Sequence, residues 1–185
     1  MCSDVNIVAL LLLVYGDSGN YMPSRKPYEM RTDIEKIQSQ WNKLSGLHSR
    51  AEWSAAVIRA ATAAELAANF VIRKEFEDRS TFSAAFIDNL LRWANGLAGK
   101  VDRLLIPLSA GRQQLKIIKK LKVISEKINS QRNAIAHQGI FCNEDEAKDV
   151  IEQARHFVET LLKLYDPHFA LKDKKLSRVD EPSSI

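Results

Sequence analysis

An alanine-rich stretch in the first half of the chain determines the architecture, because it is apolar on nearly every side of a helix. Residues 60–68 read Ala60-Ala61-Thr62-Ala63-Ala64-Glu65-Leu66-Ala67-Ala68. Alanine has the highest helix propensity, and a helix that is apolar all round lies inside a fold rather than on its surface. The small side chains also let neighbouring helices approach closely. We therefore expect a central helix over residues 49–77.

The sequence on either side of this helix predicts four more helices. Capping-box pairs, in which two side chains satisfy each other's backbone N–H groups, mark three helix starts: Thr32–Glu35, Ser49–Glu52 and Asn143–Glu146. The expected helices cover residues 32–46, 49–77, 82–105, 112–137 and 143–166. The connections between the expected helices are short. After residue 28 there is no alternation of apolar and polar residues of the kind that predicts a strand. The predicted fold class is all-α, an antiparallel bundle of four to five helices.

Glycine, proline and hydroxyl residues predict where the helices begin and end. Ser80 or Thr81 can cap the start of the third helix. Gly96 and Gly99 are expected to weaken this helix, and Pro107 is expected to end it. Three further stops are expected at Gly46, Gly139 and Asp166-Pro167.

The two ends of the chain differ from its helical part. The apolar run Val5–Val14 is too short to span a bilayer and lacks the basic flank of a signal peptide. It is expected to be a buried helix or strand, or a strip covered by a partner chain, and periodicity does not separate these. The domain assignment is 1–28 for the apolar segment and loop, 29–167 for the helical domain and 168–185 for a polar flexible tail.

Cysteine usage predicts a reduced environment. Cys2 and Cys142 form no disulfide framework, and no metal-ligand spacing is visible. We therefore expect a cytoplasmic protein with no membrane span, no metal site and no cofactor.

Positive charge is concentrated in one segment of the chain. The net charge is +4 over 185 residues, but residues 111–140 carry seven Lys or Arg residues and one Glu, a net +6. Such a segment is typical of binding to a phosphate backbone, and a solvated lysine face is the alternative. The lysines expected to attract RNA without reading its sequence are Lys116, Lys119, Lys120, Lys122 and Lys127.

The same segment ends in side chains suited to phosphodiester chemistry. Arg132 can hold a phosphate with a planar fork of donors, and His137 can move a proton near neutral pH. Asn133 and His137 are four residues apart, so they share a helix face. The alternative is structural, because cationic side chains at a helix C-terminus can satisfy the last carbonyls.

Glu65 is the one charged residue within the alanine-rich stretch. A buried carboxylate needs a partner, and Arg132 or His137 would serve. Alternatively, Glu65 belongs to a polar strip of its own helix, together with Arg59, Thr62 and Asn69.

This layout resembles the HEPN superfamily of all-helical domains over residues 30–167. The resemblance is carried by an Arg-Asn-x-x-x-His motif near the end of a late helix, by the Ala-Ala-Glu-Leu stretch at 63–66, and by a short link into a capped last helix. The specific part is Arg132-Asn133-Ala-Ile-Ala-His137, followed by Gly.

The resemblance implies a helical bundle that forms a homodimer, in which the motifs of two protomers meet in a composite cleft. Many members are metal-independent endoribonucleases, often toxins or defence effectors, so a cognate antitoxin or regulatory partner is expected. Arg132 would polarise the scissile phosphate, His137 would act as general base or acid, and Asn133 would hold the phosphate or the histidine. Glu65 is a weaker addition to this catalytic set. Other members are non-catalytic dimerisation or RNA-binding modules, and that alternative stays open.

Helix geometry favours a composite site on its own account. Arg132 and His137 lie about 140° apart around an ideal helix, which predicts that one chain converges them poorly on a single phosphate, although the arginine side chain is long. Two chains related by a two-fold axis could bring together an Arg and a His from different protomers. The expected reaction is attack by the ribose 2′-hydroxyl on the adjacent phosphate, giving a cyclic phosphate and a 5′-hydroxyl end.

The remaining aromatic residues and histidines are interpreted structurally. The widely spaced tryptophans are expected in the core rather than in a base-stacking surface: Trp41, Trp53 and Trp93. Three other histidines are expected to be surface or packing residues: His48, His156 and His168.

Overall fold

The structure, a computed structural model, describes residues 26–173 of the chain. Backbone contacts divide the chain into two units, Met1–Met30 and Arg31–Ile185. In the first unit, the described part includes the short 3₁₀ helix Tyr28–Met30. The apolar run at 5–14 lies outside the described residues, and the prediction for it stays open.

The second unit is helical, and no strand occurs in its described part. Helix α1 is Asp33–His48, α2 is Trp53–Arg79, α3 is Ala84–Trp93, α5 is Leu115–Gln138 and α6 is Glu144–Leu162. Helix α4 consists of three successive pieces: Gly96–Lys100, the π-helix Val101–Leu105 and Ile106–Leu108. The all-α prediction is confirmed, and the described part of the second unit has six helices rather than four or five.

Helix α2 is central, as its composition predicted. It packs against α1, α4, α5 and α6, and its inward side chains include seven fully or nearly fully buried alanines. These are Ala56, Ala60, Ala61, Ala63, Ala64, Ala67 and Ala68. By length and composition α2 could also cross a membrane, with 56% of its most apolar window buried. A core helix meets the same criteria, so this is weak evidence for a membrane span.

The core is completed by large side chains from α1 and α6. Trp41 of α1 is 1% exposed and Phe157 of α6 is fully buried. Trp53 is partly buried and packs against the same cluster. The prediction that Trp93 lies in the core is wrong, because its side chain is 61% exposed and stacks against the Arg103 guanidinium at 5.3 Å.

Two of the three predicted capping boxes are present. Thr32 and Glu35 satisfy each other's backbone N–H groups at the start of α1, and Asn143 and Glu146 do so at the start of α6. The Ser49–Glu52 prediction is wrong, since α1 continues through Gly46 to His48 and Ser49 ends that helix. Glu52 precedes α2 without a side-chain cap, and its carboxylate pairs with Arg50 at 2.6 Å.

The predicted third helix is two helices. Ser80 ends α2, its hydroxyl donating to the Phe76 carbonyl, and Ser83 rather than Ser80 or Thr81 caps α3. The chain then breaks at Asn95–Gly96, where Gly96 has φ of 71°. A Cβ at Gly96 would lie 2.8 Å from Asn129 Oδ1, so this close approach of α4 to α5 requires glycine.

Helix α5 begins at Leu115 rather than Arg112, because residues 109–114 form turns. Gly139 ends α5 in the left-handed conformation, with φ of 69°, as predicted. Helix α6 ends at Leu162, before the predicted Asp166-Pro167 stop, and three residues of turn follow.

The first residues of the predicted flexible tail pack onto α1 and α6. Leu171 is buried, and Gln38 exchanges two hydrogen bonds with the Lys172 backbone, at 2.7 and 3.0 Å. Trp41 Nε1 donates to Asp173 Oδ1 at 3.0 Å, and Arg155 also pairs with that carboxylate. Only residues 174–185 of the tail fall outside the described range.

The buried carboxylate of Glu75 links α2 to the turn before α5 and to the turn after α6. Glu75 accepts from Arg112 Nη1 through both carboxylate oxygens at 3.0 Å, and it pairs with Arg79 at 2.6 Å. The Tyr165 hydroxyl donates to the same carboxylate. Burial of the phenol is the largest cause that raises the Tyr165 pKa well above its usual range, and the hydrogen bond to Glu75 adds to it.

Candidate functional site

The last two turns of α5 place Arg132, Asn133 and His137 at one end of the fold. Gly139 and Ile140 turn the chain back and donate their backbone N–H groups to the Ala134 carbonyl. The helix end is therefore capped by backbone groups. Neither Arg132 nor His137 donates to a helix carbonyl in the described part of the chain, so the capping alternative has no hydrogen bond behind it.

The three side chains form one hydrogen-bonded cluster. Arg132 Nη1 donates to Asn133 Oδ1 at 3.0 Å and lies 2.9 Å from His137 Nε2. An arginine is only a donor, so the contact requires Nε2 to act as the acceptor, which assigns the proton of a neutral imidazole to Nδ1. Arg132 and Asn133 are partly buried, while His137 is exposed.

One chain brings Arg132 and His137 into contact, and the expectation that they converge poorly on a single phosphate stays a prediction. The helix positions do diverge by about 140°, but the arginine side chain is long enough to bend across the helix end to the imidazole. A second protomer is therefore not needed to join these two groups.

Glu65 is held by a residue that the sequence analysis did not single out. Its Oε1 accepts from Lys100 Nζ on α4, and the expected pairing with Arg132 or His137 is absent. The Lys100 side chain is 6% exposed and that of Glu65 is 36% exposed. A buried ammonium needs a nearby carboxylate, so the main role of Glu65 in this arrangement is to neutralise Lys100.

The polar strip expected on α2 is present, because Arg59, Thr62, Glu65 and Asn69 are all partly exposed among buried alanines. Thr62 donates to the Ile58 carbonyl within the helix at 2.8 Å, and Arg59 bonds to Gln40 of α1 at 3.2 Å. Asn69 differs from both, because its buried Oδ1 has no hydrogen-bond partner among residues 26–173. These side chains therefore serve separate contacts rather than one network.

A small cavity of about 130 Å³ lies between α2, α4 and α5. Arg132 lines it together with Glu65, Asn95, Gly96 and Asn129. Glu65 thus shares a cavity with Arg132 without bonding to it. Asn95 and Gly96, which line part of this cavity, lie at the chain break between α3 and α4.

The five lysines expected to bind RNA fall into two groups. Lys122 pairs with Asp102 at 2.6 Å, and Lys127 pairs with Asp149 at 2.7 Å. The hydrogen bond to Asp102 raises the Lys122 pKa, and the hydrogen bond from Lys127 lowers the pKa of Asp149. The other three are exposed and have no ion pair within the described range: Lys116, Lys119 and Lys120.

One of the free lysines, Lys119, lies on the same side of α5 as the histidine, whereas Lys116 and Lys120 lie about 60° and about 100° away around an ideal helix. Lys119 and His137 are 18 residues apart, which is five helical turns, or roughly 27 Å. Their side chains therefore project in the same direction. A nucleic-acid backbone that follows this face would reach His137 at its end.

Sequence reasoning missed Lys100, whose only signal is a cation within the largely apolar segment that follows Gly96, where a buried cation needs a partner. It also missed the exposure of Trp93, because an apolar helix position is ordinarily a core position. No group of three or more His, Cys, Asp or Glu side chains that could hold a metal ion occurs in residues 26–173.

Comparison with protein-family models, with curated proteins and with solved structures found no match to this chain.

Proposed function

We propose that this chain is a metal-independent endoribonuclease that cleaves RNA by attack of a ribose 2′-hydroxyl on the adjacent phosphate. The observation that carries the proposal is the contact of one guanidinium, that of Arg132, with both Asn133 and His137 at an accessible helix end. A charged donor and a titratable acceptor within hydrogen-bond distance are the parts that such a reaction needs. The resemblance to HEPN domains supports the same assignment.

The chemistry assigns a role to each side chain. The 2′-hydroxyl gives its proton to His137 Nε2 as the O2′–P bond forms, and the P–O5′ bond breaks to leave a cyclic phosphate. Arg132 stabilises the negative charge that accumulates on the phosphoryl oxygens, and Asn133 orients the guanidinium. In the absence of RNA, His137 Nε2 is occupied by Arg132. An incoming phosphate would attract the guanidinium and free the imidazole.

The proposal includes a homodimer. The leaving 5′ oxygen needs a proton at the same time as the 2′-hydroxyl loses one, and a single imidazole performs one transfer at a time. A second His137 across a two-fold axis would supply the other. The dimer thus provides a second proton-transfer group, rather than joining Arg132 to His137.

RNA attraction is assigned to the basic face of α5. The three unpaired lysines would bind the phosphate backbone, and Lys122 and Lys127 would contribute less because each has a carboxylate partner. By its resemblance, the protein would act in the cytoplasm as a toxin or defence effector under a cognate antitoxin or regulatory partner.

The second candidate is a non-catalytic HEPN-like module that dimerises or binds RNA. It is favoured by the pairing of Glu65 with Lys100, which takes that carboxylate away from the cluster. Such a module would use the same lysines but would not need His137.

The two candidates are separated by a cleavage assay in EDTA. Purified protein is incubated with structured RNA and tRNA, and the product ends are mapped for wild type, His137→Ala and the matched surface variant His156→Ala. The ribonuclease predicts cyclic phosphate ends from wild type and His156→Ala, and none from His137→Ala. If RNA binds with equal affinity to wild type and His137→Ala but is not cut by either, the module is the better description.

A further inference from the structure

The exposed Trp93 is a side chain that the proposed chemistry leaves unexplained. It is 61% exposed at the end of α3, although an indole ring is ordinarily buried in a core or an interface. Its neighbours Leu91 and Ala94 are buried, so the packing of α3 holds the Trp93 backbone in place. An aromatic surface on a fixed backbone loses little conformational freedom when a ligand binds.

One face of the indole is occupied by a cation. The Arg103 guanidinium lies over the Trp93 ring, 5.3 Å from its centroid, which is a favourable cation–π distance. Since more than half of Trp93 stays accessible, the opposite face of the ring is open to solvent. Arg103 also stands on a fixed backbone, because Val101 and Leu104 on either side of it in α4 are buried.

The charge of Arg103 is not neutralised within the part of the chain that the structure describes. Its guanidinium forms no ion pair there, and its recorded contact is the one with Trp93. Asp102, the adjacent carboxylate in the chain, accepts instead from Lys122 of α5 at 2.6 Å. Trp93 and Arg103 thus present an open ring face and an uncompensated positive charge at one place.

A ligand that matches both features carries a flat ring and a negative charge. A free anion would use the guanidinium but not the ring, and an apolar side chain would use the ring but leave the cation uncompensated. A nucleotide has a π-face that can stack on an indole and a phosphate that can bond to a guanidinium. Stacking on aromatic side chains is also a general means of binding single-stranded RNA.

The contacts of α4 with α5 place this pair beside the candidate site. Asp102 of α4 bonds to Lys122, and Gly96 at the start of α4 lies against Asn129. On an ideal helix, Lys122 and Asn129 lie about 60° and about 80° from His137, both to the same side. RNA that follows the face of α5 towards His137 would therefore pass next to α4.

We propose that Trp93 and Arg103 bind one nucleotide of single-stranded RNA, with its base stacked on the open face of Trp93 and its phosphate bonded to Arg103. The inference rests on the proposed function, because it requires RNA to be the ligand. Every base has a π-face, so the site adds affinity rather than sequence preference. A nucleotide held here would fix the path of the strand towards His137.

Tryptophan fluorescence tests the contact without depending on catalysis. Trp93 is more exposed than Trp41 and Trp53, and a stacked base quenches the indole that it covers. Wild type is titrated with a 2′-O-methyl uridine decamer, which has no free 2′-hydroxyl, and with an abasic decamer of the same length. The uridine decamer should quench the fluorescence, whereas the abasic decamer should bind without quenching it.

Fluorescence anisotropy with labelled decamers then separates stacking from charge. Trp93→Ala should bind the uridine decamer about tenfold less tightly than wild type, and the abasic decamer equally well. Arg103→Ala should weaken the binding of both decamers and lower the slope of log K against log salt by about 0.7. Arg103→Lys should keep that slope, because it retains the charge.

Phe82→Ala is the matched control, since Phe82 is an exposed aromatic residue whose ring contacts Phe76 and Phe86 rather than a cation. It should bind both decamers as wild type does. Trp93→Ala and Arg103→Ala should melt within a few degrees of wild type, because both side chains are exposed, and this separates lost recognition from lost folding.

Three results would overturn the inference. They are equal affinity of Trp93→Ala and wild type for the uridine decamer, an equal loss in Phe82→Ala, and no binding of either decamer by wild type. A change of oligomeric state in Trp93→Ala with unchanged RNA affinity would likewise reject it and assign the surface to a contact between protein chains.

The cleavage assay on His137→Ala fails or succeeds independently of this result. Quenching in wild type, together with weaker uridine binding in Trp93→Ala, supports the stacking site even if no RNA is cut. Cleavage that depends on His137, without quenching or loss of affinity in Trp93→Ala, supports the ribonuclease and rejects the stacking site.

Discussion

Arg132 Nη1 and His137 Nε2 lie 2.9 Å apart across five residues of a single helix. The positive fork and the proton acceptor are thus assembled within one protomer. The guanidinium also contacts His137 Nε2, the nitrogen that accepts a proton in the proposed reaction. In the proposed reaction, substrate phosphate and imidazole would compete for the same donor, which would couple RNA binding to release of the imidazole.

Arg132→Lys should lower the single-turnover cleavage rate by about 100-fold, because an ammonium lacks the planar fork that can hold phosphate and orient His137 together. The melting temperature should stay within a few degrees of wild type, since among residues 26–173 the side chain bonds only to Asn133 and His137. Arg50→Lys, at an exposed ion pair with Glu52, is the control and should cleave normally. An unchanged rate in Arg132→Lys would show that the fork geometry is not used.

Replacing Lys116, Lys119 and Lys120 by alanine should weaken RNA binding and reduce its salt dependence. If each lysine contacts one phosphate, the slope of log K against log salt falls by about 2 for single-stranded RNA, at roughly 0.7 per contact. The control replaces Lys122, Lys127 and Lys148, each of which already has a carboxylate partner. Equal loss of slope in the two triple variants would argue against a dedicated RNA face.

Glu65→Ala should destabilise the fold by about 2 kcal/mol, because it leaves the Lys100 ammonium buried without its partner. The value is below that for a fully buried pair, since a third of the Glu65 side chain is exposed. Urea denaturation of wild type and Glu65→Ala measures this difference in the free energy of unfolding. The double variant Glu65→Leu, Lys100→Met should recover most of the stability, and failure to recover would mean that the pair is needed for more than mutual neutralisation.

Tyr165 should titrate at higher pH than an ordinary tyrosine, because burial and the bond to Glu75 raise its pKa. The folded state then holds the proton more strongly than the unfolded state. Its contribution to stability is fully present below the unfolded pKa of about 10 and is lost as the pH rises above that value. Urea denaturation between pH 8 and pH 11 should show a steeper fall in wild type than in Tyr165→Phe.

Tyr28→Phe serves as the control for that titration. Absorbance of tyrosinate near 295 nm should keep its last-titrating phase in Tyr28→Phe and lose it in Tyr165→Phe. A wild-type protein whose tyrosines all ionise together would contradict the buried hydrogen bond to Glu75.

Helix starts and stops were predictable where their causes are local. The capping boxes at Thr32 and Asn143 and the left-handed stop at Gly139 each involve atoms within a few residues. The Ser49 prediction failed because α1 continues to His48, so that Ser49 ends that helix instead of starting the next one. The break at Gly96 was interpreted only as a loosening, and the need for glycine there comes from the close approach of Asn129, a residue 33 positions further along the chain.

By itself, the sequence determined the all-helical class, the central position of the alanine-rich helix, and the placement of Arg132, Asn133 and His137 on the last turns of α5. These follow from propensity, periodicity and capping, which act over short distances along the chain. The tertiary structure alone decided that Glu65 pairs with Lys100, that Trp93 is exposed and that Asn69 is left without a partner. Such outcomes depend on which helices meet and on which rotamer a long side chain adopts there, and neither is encoded in the spacing of a single segment.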